Sequence, residues 1–92
     1  MEIILTNVEE AGMPPEMAGH CKTLVERRIR KEFNGNPPVG ADVTILYSDK
    51  DPLGQSKEVD DAAYFIYFTV ESVEPGAGNG SDAPTIQLSL VM

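Results

Sequence analysis

Arg27, Arg30 and Lys31 stand three and four positions apart, a spacing that on a helix brings their charges onto one face. With Lys22 and Arg28 they are five of the chain's seven basic residues, all within Pro14 to Phe33, PPEMAGHCKTLVERRIRKEF. The chemistry such a strip offers is anion recognition, most naturally of phosphate, to which an arginine presents a planar two-pronged fork. An acidic protein surface would satisfy the same charges. The bland alternative is a solvated face whose cations complement the negative end of the helix dipole.

At 100° per residue, Met17, Ala18, Cys21, Leu24, Val25 and Ile29 fall on one arc, with Phe33 at its edge, and that arc is expected to face the core. His20, Thr23, Arg27, Arg30 and Lys31 fall opposite. Arg28 lies nearer the apolar arc, its stem placed to run along a sheet while its head reaches water. Glu16 and Glu26 border the strip and are expected to leave its C-terminal half uncompensated. The candidate contact residues are therefore His20, Lys22, Thr23, Arg27, Arg28, Arg30 and Lys31. The two remaining cations, Lys50 and Lys57, sit in DKDPLGQSKEVDD (49–61) and extend the contact if that loop folds toward the helix.

Other groupings with chemical potential fall short. Asp49, Asp51, Gly54 and Asp60 follow positions one, three, six and twelve of a calcium loop, but Leu53 occupies position five, Pro52 stiffens the turn and strands flank it. The segment EPGAGNG (74–80) lacks the lysine and hydroxyl residue of a phosphate-cradling loop and precedes no helix. His20 is the single histidine, and no nucleophile or carboxylate is set beside it. Cys21 is the single cysteine, so neither an internal disulfide nor a cysteine metal cage can form, and its place on the apolar arc gives it a packing role. Glu9-Glu10 and Asp60-Asp61 read as solvated strand ends, or as carboxylates imitating a phosphate backbone. The expectation is a protein without catalysis, metal or cofactor.

Ninety-two residues make one small domain, and fifteen acids against seven bases give a net charge of −8. The field of such a molecule repels free nucleic acid and anionic membranes and favours approach to a basic surface. No basic-then-apolar leader and no apolar run near 18 residues is present, so a cytoplasmic protein with no membrane partner is expected.

The elements that must position these groups are legible from period and punctuation. Pro14-Pro15 suit the first helical turn, and Asn34-Gly35 with Pro37-Pro38 supply its stop. Strand patterns occupy Ile3–Val8, Asp42–Ser48, Ala62–Val73 and Pro84–Met92. In the third, Tyr64, Ile66, Phe68 and Val70 form one face and Phe65, Tyr67 and Thr69 the other, which predicts a central strand with partial cover on both sides. The order β-α-β-β-β predicts a single α+β domain, its last three strands an antiparallel meander with the helix packed across one face. The sheet position of the first strand is left open.

A small, acidic, cofactor-free β-α-β-β-β domain of this kind, carrying MPPEMAGHCKTLVERRIRKEF, resembles the phage-encoded anti-CRISPR proteins. Among them it is most similar to inhibitors of the type I-F surveillance complex, the crRNA-guided Csy or Cascade-type assembly. The resemblance runs through size, charge and element order over the whole length and carries no residue roles with it. It implies a stoichiometric inhibitor that occupies surfaces needed for target DNA, with Cas proteins plus crRNA as partner and no small-molecule substrate. An assembly or connector module, or a small RNA-binding domain, is the competing expectation.

Overall fold

The computed structural model describes residues 1–55, 62–75 and 83–91. Helix α1 spans Pro15–Phe33, one residue shorter at its start than predicted, with Pro14 as the extended N-cap and Pro15 at the first helical position. Glu16 lies in the first turn and Arg30 and Lys31 in the last, each complementing the dipole. The helix stops where Asn34 turns left-handed at φ 52°, followed by Gly35 at φ 83°, whose N–H donates to the Ile29 carbonyl at 3.2 Å. An asparagine tolerates this conformation; a β-branched residue does not. Asn34→Val should therefore cost about 1–2 kcal/mol, read as a lowered urea midpoint with the slope retained. An unchanged midpoint would show that the stop does not depend on this residue.

Among the described residues four strands follow from alternation: β1 (Glu2–Thr6), β2 (Asp42–Tyr47), β3 (Tyr64–Glu74) and β4 (Thr85–Leu90). They form one sheet in the order β1-β4-β3-β2. The β2-β3-β4 meander is antiparallel throughout, with Val43 opposite Phe68 and Thr69 opposite Ser89. A register shift between Val70 and Ser72 takes up Glu71. Strand β1, whose place the sequence left open, pairs in parallel with β4, Ile3 against Ile86 and Leu5 against Leu88. The fold is α+β, with the helix on one face of a mixed sheet. Among the described residues no helix is long and apolar enough to cross a membrane.

The core is the layer between helix and sheet. Cys21, Val25 and Ile29 meet Val43, Ile45, Phe68, Val70, Ile86 and Leu88 there. Two expectations are corrected. Leu24, placed on the core arc, is only half-buried, because its position on the helix faces the free edge of β2. The second face of β3, predicted to be partly covered, is open: α1 is the one described helix and it lies across the other face, leaving Phe65 and Tyr67 exposed. Of EPGAGNG (74–80), whose sequence suits a hairpin connection, Glu74 ends β3 and residues 76–80 lie outside the described residues.

Candidate functional site

The five basic residues of α1 do not form one strip; three of them gather round a groove, and Lys22 and Arg30 lie elsewhere. The groove, about 190 Å³, runs between α1 and β2 and is lined by Leu24, Arg27, Arg28, Lys31, Ile45 and Leu46. Its cations are held by local geometry. The Arg28 Nε donates to the Thr44 carbonyl at 3.0 Å, and its Nη1 lies 3.3 Å from the Glu32 carboxylate. The Arg27 guanidinium donates to the Leu53 carbonyl, which fixes the start of the β2–β3 loop against the helix. Lys31 has no ion-pair partner among the described residues. Arg27, anchored through a neutral carbonyl, keeps its full charge while losing some of its side-chain freedom, which lowers the entropic cost of meeting an anion, whereas the Arg28 charge is already partly met by Glu32.

Arg30 points elsewhere. Its Nη2 lies 3.1 Å from Glu26 Oε1, an i,i+4 pair across which both residues remain partly exposed. This corrects the expectation that Glu26 leaves the C-terminal half of the strip uncompensated; the spacing that favours such a pair was present in the sequence. The pair contributes little to stability at this exposure, under about 1 kcal/mol. It does remove Arg30 from the set of free cations.

His20 also departs from its expected place. The helical angle put it on the solvated side, but the turn after β2 folds over the N-terminal half of the helix. His20 there shares a cleft with Met17, Tyr47, Asp49 and Pro52. Its Nδ1 is buried without a hydrogen-bond partner among the described residues. Thr23 is half-buried and its hydroxyl donates back to the Gly19 carbonyl at 3.5 Å, a bond made within the helix. Lys22 lies on another side of α1, lining a cleft with Leu5, Val8 and Met13. Lys50 is exposed, its N–H donating to Ser48 Oγ at 3.2 Å. Lys57 lies outside the described residues.

The resemblance to a calcium loop meets a turn already closed on itself. Asp51 Oδ1 accepts from the Gln55 N–H at 3.0 Å, and the Gly54 N–H donates to the Asp51 carbonyl at 3.0 Å. Asp60, needed for position twelve, lies outside the described residues. Among the described residues no cluster of three or more metal-ligating side chains occurs.

The open sheet face is the feature that sequence reasoning underweighted. Leu46 (53% exposed), Phe65 (58%), Tyr67 (52%) and Val91 (52%) lie together there. Leu46 is paired with Phe65 in the sheet, and the Val91 N–H donates to the Tyr67 carbonyl at 2.9 Å. The Phe65 and Tyr67 ring centroids are 6.5 Å apart. Period two along β2 would have found Leu46: with Val43, Ile45 and Tyr47 inward, it must point out. The groove and this patch meet at Leu46, so cations and apolar surface adjoin at one edge of the sheet. Comparison with protein-family models, with curated proteins and with solved structures gives no match, so the chemistry of this edge must be read from its own residues.

Proposed function

We propose that this protein is a non-enzymatic, stoichiometric inhibitor that binds a crRNA-guided surveillance complex of type I-F and blocks its access to target DNA. The observation that supports this reading is the segregation of charge. Arg27, Arg28 and Lys31 surround one groove, with Glu32 beside Arg28 and Asp42 at the start of the same strand, while Glu2, Glu9, Glu10, Glu71 and Glu74 are exposed elsewhere on the molecule. RNA-guided complexes read target strands in positively charged channels that recognise backbone rather than sequence. An acidic body suits such a channel, and a basic groove suits the guide-RNA phosphates or an acidic protein surface beside it. A two-signed surface fits a ribonucleoprotein better than free nucleic acid, which the net charge of −8 repels.

Competition for the target-DNA site of a purified surveillance complex tests this. Arg27→Ala with Lys31→Ala should weaken inhibition about tenfold and reduce its salt dependence, since charge-assisted contacts are lost. Alanine suits a helix, so the circular dichroism spectrum should be retained. Arg30→Ala serves as the internal control, because Glu26 already holds that guanidinium. No inhibition by the parent protein would sink the proposal. Full inhibition by the folded double variant would show that the groove is not the contact.

A further inference from the structure

Among the described residues the edge that carries the groove is also an unpaired strand. The Ala41 carbonyl accepts from the Val70 N–H at 2.9 Å, and alternation from there turns the backbone groups of Val43, Ile45 and Tyr47 toward β3. Asp42, Thr44 and Leu46 therefore turn their N–H and C=O groups outward. The Arg28 bond to the Thr44 carbonyl, made from outside the sheet, agrees with this parity. Natural edges are usually protected by proline, lysine, a bulge or very short length. Strand β2 has six residues, DVTILY, with no proline and no lysine. Among the described residues its guards are a bulge just before its start, where Gly40 and Ala41 both face Val70, and Arg28, on a carbonyl with a second lone pair to offer.

We infer that β2 accepts an extended acidic segment of a partner protein as a fifth strand, with carboxylates and apolar side chains alternating along it. The alternation follows from the two surfaces that flank the edge. Side chains of an added strand that point to the helix side meet Arg27, Arg28 and Lys31. Those that point to the other side lie beside Asp42, Thr44 and Leu46, with the exposed Phe65 ring one strand further in behind Leu46. Successive residues of a strand point to opposite faces, so one acidic-apolar repeat satisfies both. Backbone hydrogen bonds supply affinity and the alternating side chains supply selectivity, the usual logic of strand addition. Arg28, already held by Glu32, shares its guanidinium with a second carboxylate, while Arg27 and Lys31 meet theirs with no competing ion pair among the described residues.

A second copy of this chain fits the edge poorly. An antiparallel β2–β2 pairing sets Arg27, Arg28 and Lys31 of one copy near those of the other, in molecules that each carry −8. A nucleic-acid strand could use the cations but has no backbone donors and acceptors at strand spacing. The inference rests on the groove being a contact surface, not on which assembly carries the segment.

The probe is a synthetic peptide, acetyl-Glu-Ile-Glu-Phe-Glu-Ile-Glu-amide, titrated into the full chain. Controls are a peptide of the same composition in blocks, its lysine-for-glutamate counterpart and oligouridylate. Amide hydrogen exchange by NMR reports the contact directly. The alternating acidic peptide should bind at least tenfold more tightly than either control peptide. It should also slow exchange at the Thr44 and Leu46 N–H groups at least tenfold. Arg27→Glu with Lys31→Glu should abolish that preference and turn it toward the lysine peptide. Thr44→Pro, which removes an outward N–H and no ladder bond, should lose binding; Arg27→Glu with Lys31→Glu keeps the test decisive if the proline variant fails to fold. Binding without protection of those amides would overturn strand addition and leave the groove a charge surface. Binding of oligouridylate in place of the peptide would overturn it in favour of phosphate recognition. Protection of the same amides without peptide, with dimers in sedimentation, would assign the edge to a second copy and overturn it as well. Neither ligand binding at low salt would remove both this inference and the groove reading beneath it.

Discussion

Replacing Phe68 by alanine should cost about 3–5 kcal/mol. Phe68 is fully buried in the central strand, between Val43 of β2 and Leu90 of β4, and belongs to the cluster in which Cys21, Val25 and Ile29 meet the sheet. The loss combines the transfer of the ring to water with a cavity that four hydrogen-bonded strands cannot close by moving. Domains of this size hold about 5–15 kcal/mol in total, so the variant would keep a small part of the original margin. Urea unfolding read by far-ultraviolet circular dichroism measures it. A midpoint within error of the parent would place Phe68 outside the core. Tyr67→Ala is the comparison: on the same strand but more than half exposed, it should cost under about 1 kcal/mol. The contrast between neighbours tests the orientation of the whole sheet.

Raising the pH should destabilise the protein through Cys21. Burial pushes its thiol from the ordinary value of 9.0 up to about 11, because the thiolate would sit in the apolar layer between helix and sheet. An acid whose folded pKa is raised stabilises the fold fully below its unfolded value. That contribution is then lost as the pH rises through the folded one. Stability should therefore hold to about pH 9 and decline by about 2–3 kcal/mol as the pH passes 11. Tyr47 acts in the same direction, raised first by burial and then by the charge of Asp49. Cys21→Ala separates the two: it should flatten the thiol's share of the decline while the tyrosine's remains. Urea midpoints at pH 7, 9 and 10.5 for both proteins measure the difference. Equal declines in parent and variant would show that the thiol does not drive the alkaline limb.

The helix and the meander were legible because their signals are local. Pro14-Pro15, the Cys21-Val25-Ile29 spacing and Asn34-Gly35 act within a few residues, and the alternation in TIQLSL survives any tertiary arrangement. The parallel pairing of β1 was not legible, since Ile3-Ile4-Leu5 reads the same on either edge. The groove was half legible. Helical angles found Arg27 and Lys31 together but could not show that Thr44 and Leu53 offer carbonyls to Arg28 and Arg27, because those contacts cross from other elements. His20 was misplaced for the same reason. A helical projection assumes solvent where no other part of the same helix intervenes, and the turn through Asp49 and Pro52 fills that space. The Glu26–Arg30 pair is different: its spacing was there to be read.

The parallel seam between β1 and β4 also orders events in time. The Thr6 hydroxyl and the Leu88 carbonyl it reaches are 82 residues apart in the chain, and Ile3 finds its place only against Ile86. A ribosome adding about 5–20 residues per second emits the partner strand roughly 4–16 s after the first. Through that interval Ile3, Ile4 and Leu5 have no sheet to join, while the helix and then the β2-β3 hairpin can already form from neighbouring sequence. Strand β1 thus waits for β4 before it can pair, so a nascent chain held before β4 emerges carries an unshielded hydrophobic segment. Chaperone capture and early proteolysis would be concentrated there.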